Sequence, residues 1–358
     1  CDKGLALAPG SEALLISRAL AFKGKRAYES AIANLSAVIA AKPEHARALV
    51  ARGNCYRAQG DADSAVRDFT AAIALDGRNA TPYVARGLAR MDLGDAQGGL
   101  EDINAALALD ARRASVYLYR GNFKNYMGDW QAAVAEYEKA LECDAEYAEA
   151  WTQLGIIFRV HDFNRCIRDL GRASQLNPRD ARNFSWRAQA KYGLDDLVGA
   201  INDCSKAVEL DPKDWTAWYY RAITHLQLHQ RQGRRQSFGE GAPPGSASTA
   251  SLDAAIADLL KTKEIFPLDF RTPLILSGAY LQLGDRLREL GNLEGARQAW
   301  NNAARVGLDL KAFNPLGAHF YNGELLISHV LEDVAAARAR LDAESRASRA
   351  ASRVAMRE

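Results

Sequence analysis

The sequence repeats itself at a displacement of 34 residues, and no other feature restricts its fold as tightly. ARGNCYRAQGDADSAVRDFTAAIALD, starting at Ala51, returns as ARGLARMDLGDAQGGLEDINAALALD at Ala85 and as YRGNFKNYMGDWQAAVAEYEKALECD at Tyr119. Gly53, Gly87, Gly121 and Gly155 mark one place of the repeat, with Ala19 a step before them and Ala188 and Ala222 after them. A second series runs Ala31, Ala65, Gly99, Ala133, Cys166 and Ala200, and a third runs Val38, Ala72, Ala106, Ala140, Ala173 and Ala207. Small residues at fixed places in a helical pattern stand where two helices approach closely. Each unit therefore reads as a packed helix pair, and the chain as a stack of such pairs.

The punctuation agrees. Gly60-Asp61, Gly94-Asp95 and Gly128-Asp129 separate the two halves of their units. Gly suits a left-handed helix end and Asp caps the helix that follows. LNPRD at Leu176 and LDPKD at Leu210 close units, because Pro cannot continue the second helix.

With these places filled, the chain resembles the tetratricopeptide repeat family. A large apolar or aromatic residue holds the fourth place (Leu15, Leu49, Tyr83, Tyr117, Trp151, Phe184, Trp218), and a closing Pro recurs at Pro43, Pro178, Pro212 and Pro267. The resemblance implies an all-α, right-handed superhelical solenoid. About eight repeats begin near Glu12, Ala46, Ala80, Ala114, Ala148, Ala181, Trp215 and Arg271. Three segments are expected: a tether over 1–10, the array over 11–309, and a capping helix with an Arg-rich tail over 310–358. Repeat seven carries HQRQGRRQSFGEGAPPGSASTAS, whose composition predicts a flexible insertion near 230–251. Repeat eight has a stretched first helix, from Leu274 to Leu290. Beyond it a stripe from Leu325 to Leu341 would cover the last open face.

Catalytic motifs are missing from the sequence: it has no Gly-rich phosphate loop, HExxH, GxSxG or CxxCH. His225 and His229 share a helical face, but no third ligand stands at matching spacing, so packing or a solvated helix end is the reading and no metal is expected. Arg52, Arg86, Arg120, Arg187 and Arg221 occupy one repeat place and suggest a basic ladder. Acids follow them, however: Asp68, Asp102, Glu136, Asp203 and, beyond the insertion, Asp258. Opposite charges in register predict ion pairs inside each unit. Repeat five departs, with Leu154 in the Arg place and Asp169 in the acid place. Cys55, Cys143, Cys166 and Cys204 lie at helical places and read as small packed residues, with pairing between neighbouring repeats left open.

The family implies that first helices line a groove for extended peptides or partner helices. On this chain that groove carries Arg47, Asn54, Ser115, Tyr119, Asn122, Arg182, Trp186, Gln189, Tyr219 and Tyr220. Its aromatic half, from Tyr119 onward, is the expected contact surface. The chaperone-tail branch of the family is not matched: Asn54 and Asn122 stand in its asparagine place, but Leu88 interrupts them and the basic partners fall out of register. An interaction scaffold is the expectation, not an enzyme, with protein partners and neither cofactor nor small-molecule substrate.

Nearly balanced charge, 46 Lys plus Arg against 44 Asp plus Glu, gives no field that would draw the chain to nucleic acid. CDKGLALAPG lies before the first repeat and resembles the start of a mature bacterial lipoprotein, with diacylglycerol on Cys1. That resemblance implies a lipid-anchored protein on the periplasmic side of the envelope, holding subunits of a membrane complex, with Asp2 pointing to the inner membrane. A Met-initiated start upstream of Cys1 would leave a cytosolic assembly scaffold instead. Arg346, Arg349, Arg353 and Arg357 align on one face of the tail, as either a headgroup-binding stripe or a solvated terminus.

Overall fold

A computed structural model of the chain describes residues 11–237, 249–267, 269 and 271–313, together with single residues 332, 335, 336, 339, 343 and 346. Among the described residues all regular structure is helical. The helices run in the order α1 (Glu12–Gly24), α2 (Tyr28–Ala41), α3 (Ala46–Gln59), α4 (Ala62–Leu75), α5 (Ala80–Asp92), α6 (Ala96–Leu109), α7 (Ala114–Tyr126), α8 (Trp130–Cys143), α9 (Ala148–Phe158), α10 (Phe163–Leu176), α11 (Ala181–Gly193), α12 (Leu197–Leu210), α13 (Trp215–Ser237), α14 (Ala250–Ile265), α15 (Arg271–Glu289) and α16 (Leu293–Phe313); α1–α2, α3–α4, α5–α6, α7–α8, α11–α12, α13–α14 and α15–α16 each pack as a pair. They divide into two compact units, Cys1–Ile157 and Phe158–Glu358. In each unit helices pack chiefly on their neighbours in sequence, which is the contact pattern of a solenoid.

Helix starts follow local chemistry. Asp61, Asp95, Asp129, Asp162 and Asp196 each accept a hydrogen bond at their side chain from a backbone N–H three residues on, at 2.9–3.1 Å. A cap of this kind stabilises a helix by about 1 kcal/mol. Before three of them the chain turns through glycine at positive φ: Gly60 at 93°, Gly94 at 83° and Gly128 at 89°. Asp195 takes the same left-handed conformation at 69° without being glycine, as does Arg26 at 58°.

The small-residue series are the contact line of each pair. Ala31, Ala65, Ala133, Cys166 and Ala200 are wholly buried, and so are Ala106, Ala140, Ala173 and Ala207. A Cβ on Gly53 would lie 2.7 Å from the ring of Phe69, so the aromatic fills the volume the glycine leaves. In the last pair Gly284 faces the buried Trp300 in the same manner. That offset of sixteen places Gly284 in register with Gly53, so the stretched first helix of repeat eight, here α15 over 19 residues, has gained its extra turns at its N-terminal end.

One expectation is corrected. The insertion does not begin as a loop near residue 230, because α13 continues as a helix to Ser237. Residues 229–237 are rich in Gln and Arg, good helix formers, and contain only one glycine, Gly233. The Gly, Pro and Ser composition that suggested a loop belongs to 238–248, outside the described residues. Every residue of the capping stripe also lies outside them.

Candidate functional site

The arginine ladder is tied up inside the fold. Arg52, Arg86, Arg187 and Arg221 each grip both carboxylate oxygens of Asp68, Asp102, Asp203 and Asp258, at 2.6–2.9 Å. Arg120 bonds Glu136 at 2.8 Å. The expected pairs therefore form, and the acids are nearly inaccessible. Each Arg also donates from Nη1 to the second helix of the preceding repeat: to Ser36, Thr70, Asn104, Ser174 and Ser205 respectively. The same guanidinium lies over an aromatic ring, Tyr83, Tyr117, Phe184 or Trp218 three residues earlier, and Tyr56 in the case of Arg52. One side chain thus fixes a helix to its partner and to the repeat before. Bonding to Asp258 holds the Arg221 guanidinium above its usual range, with burial opposing.

Sequence reasoning missed Arg18, which occupies the same place in repeat one and donates to Asn34 Oδ1 at 2.7 Å. Asn34, sixteen residues on, is neutral, so a search for an acid at that offset passes it by. In repeat five, Asp169 is fully buried and held from its own helix by Arg168 and Arg165, at 3.0 and 3.5 Å. Burial pushes its carboxyl above the ordinary range against the pull of both arginines.

The cysteines and histidines singled out in the sequence take no part in these pairs. Cys55, Cys143, Cys166 and Cys204 are free thiols, and burial raises those of Cys166 and Cys204 to about 12. His225 and His229 are half-buried on α13, with Nδ1 of each buried and unpartnered, and burial lowers both. Among the described residues no three metal-ligating side chains converge.

The side chains expected to line the groove separate into two groups. In the first unit, Arg47 and Asn54 of α3 line a cavity of about 370 Å³ with Leu20, Lys23, Val50 and Thr81. Ser115 and Tyr119 are half-buried, and Tyr119 packs against the core of its repeat. Asn122 accepts a hydrogen bond from the Tyr137 hydroxyl at 2.8 Å.

In the second unit, Trp186 lies under the Arg159 guanidinium, 4.2 Å from its ring centre, and buried Gln189 accepts from Arg159 Nη1 at 2.9 Å. Tyr220 meets Tyr192 and Tyr219 edge-on at 5.9 and 5.6 Å, and Arg271 covers Tyr219. Burial raises the Tyr219 hydroxyl, whose ring packs on the core around Leu276. Arg182 is exposed and paired with Asp180 at 2.7 Å. Cys1 and the Arg346 tail, apart from isolated helical Arg346, fall outside the described residues.

A tetratricopeptide repeat family model matches residues 16–80. No curated protein sequence matches the chain. Among solved structures, a tetratricopeptide repeat protein from Parabacteroides merdae is similar at 18% identity and a TM-score of 0.51, over 75% of this chain and 98% of that one. The C-terminal part of a TPR repeat-containing protein from Cytophaga hutchinsonii gives 17% and 0.53, over 76% and 97%. Pseudomonas aeruginosa pilF gives 16% and 0.53, over 65% and 97%. At such identities the likeness is one of fold: a solenoid of tetratricopeptide repeats.

Proposed function

We propose that this chain, a stack of tetratricopeptide repeats, is a non-catalytic interaction scaffold that holds an extended segment of a partner protein against its first helices. One observation carries the reading. The ladder arginines are consumed by internal pairs, whereas Trp186, Tyr192, Tyr219 and Tyr220 on first helices keep part of their surface exposed after the helix pairs have packed. Aromatic side chains offer large contact area with few rotors to freeze, and a preformed helix face needs no ordering before it binds. The lipid expected on Cys1 concerns residues outside those described, and the interaction reading stands without it.

The test is a double substitution. Trp186→Ala with Tyr220→Ala should reduce retention on an array of short synthetic peptides by about tenfold or more, the loss typical when two anchoring aromatics are truncated. Circular dichroism should show the same helical content. Retention at the wild-type level would move the interface away from these helices.

A further inference from the structure

Arg159 follows a different rule from every ladder arginine. It stands in the turn after α9, the twelfth place of its repeat, and its side chain is partly exposed. It reaches Trp186 and Gln189, both on α11, but pairs with no acid among the described residues. Its Nε is buried without a hydrogen-bond partner. A guanidinium desolvated on one side and incompletely bonded favours a carboxylate strongly.

The protein itself shows what completes such a group. Arg57 occupies the twelfth place of repeat two, and its Nε donates to Asp92 of repeat three at 2.6 Å. Asp92 is the thirteenth residue of its repeat; the thirteenth of the repeat following Arg159 is Gly193. No side chain fits there, since a Cβ on Gly193 would lie 2.6 Å from the Phe163 ring. The nearby acids are engaged elsewhere: Asp162 and Asp196 cap α10 and α12, and Asp195 pairs with Arg231 and accepts from Gln227. The chain thus withholds at Arg159 the carboxylate that it supplies to Arg57.

We propose that Arg159, stacked on Trp186 and oriented by Gln189, receives the carboxylate of an Asp or Glu side chain in the bound partner segment. This rests on the interaction reading above and names the chemistry its partner must carry. The indole face and the Gln189 hydrogen bond hold the guanidinium in place, and with Nε buried and Nη1 bonded, the terminal Nη2 is the group that meets the incoming carboxylate. Val160 and Leu194, 68% and 43% exposed, follow Arg159 and Gly193 in the chain, so apolar residues should flank the partner's acid.

The experiment uses the full chain and an array of N-acetylated, C-amidated peptides made in pairs that differ only in Glu against Gln. Capping both ends removes the terminal carboxylate as a source. Wild-type protein should retain Glu members about tenfold more strongly than their Gln twins, the low end for a hydrogen bond to a charged group. Arg159→Gln should bring the ratio close to one. Arg159→Lys, which keeps the charge but not the planar fork, should give an intermediate ratio, and Arg172→Gln on exposed α10 surface should preserve it. Retention without a Glu preference, or a preference that survives Arg159→Gln, overturns the proposal and leaves the scaffold reading intact. If no peptide is retained, the scaffold reading fails, and titration with sodium acetate against chloride at equal ionic strength decides for Arg159. A selective, Arg159-dependent shift of the Trp186 indole N–H resonance then supports the carboxylate site, and its absence overturns it.

Discussion

The two compact units share a skeleton and differ in what they leave open. In both, arginines at one repeat place bind a buried acid, a polar side chain of the previous repeat and an aromatic ring. Arg57 in the first unit finds its carboxylate within the chain, and Arg159 in the second finds none among the described residues. A cavity of the first unit is lined by Lys23, Arg47, Asn54 and Thr81 beside aliphatic side chains, while the second unit presents Trp186 and a tyrosine cluster. Architecture therefore resides in the places that most repeats fill alike, and the proposed recognition in places that neighbouring repeats fill differently.

The largest effect tests the shared part. Asp68→Ala in the first unit and Asp203→Ala in the second each strand a partly buried arginine, and in the second case Lys191 as well, which lies 2.8 Å from Asp203. Each should cost about 3 kcal/mol, because an uncompensated charge remains in a desolvated site. Urea unfolding measures the loss, and hydrogen exchange assigns it to one unit or the other. A large loss in one unit with none in the other would break the claim that the ladder carries equal weight in both.

A smaller effect separates the units by pH. His225 and His229 belong to the second unit, and burial depresses both below the ordinary 6.5. Asp258 opposes that shift at His225 while Arg221 adds to it; at His229, Arg286 adds to it and Glu289 opposes it. A base with a lowered folded pKa binds fewer protons folded than unfolded, so stability falls as pH drops through 6.5 toward the folded value. Protection of α13 amides should therefore weaken between neutral and mildly acidic pH, and His225→Gln with His229→Gln should flatten that dependence. Identical profiles before and after substitution would remove the histidines from the account.

Most of the skeleton was legible in the sequence because it depends on fixed offsets. The small-residue places predict the helix pairs, and the acid sixteen residues after Arg52, Arg86, Arg120 and Arg187, or thirty-seven after Arg221 across the insertion, predicts the partner. Arg18 escaped because its partner Asn34 carries no charge, and the helical run to Ser237 escaped because one composition was read over a segment that holds two. Trp186 and Gln189 were singled out in the sequence, but the residue that contacts both was not. Arg159 lies in a turn, contacts a different repeat and has no charged partner among the described residues to signal it. The legible trace is a comparison between repeats, Asp92 against Gly193 at a place where both preceding repeats carry arginine.

That comparison can be run in reverse, with the smallest expected effect. Asp92→Asn withdraws the carboxylate from Arg57 and gives the first unit the vacancy that the second already has. The pair is about one-third exposed on each side, so its loss should cost less than about 1 kcal/mol. The freed guanidinium should gain a response to Glu-bearing peptides that wild-type protein lacks at that place. The gain should stay below that of Arg159, because among the described residues no aromatic ring lies against the Arg57 guanidinium as Trp186 lies against that of Arg159. Combining Asp92→Asn with Arg159→Gln reads the gain alone: a restored Glu preference shows that an unanswered arginine at the twelfth place suffices to bind a carboxylate. A ratio that remains at one shows that stacking on Trp186 and the hydrogen bond to Gln189 are also required.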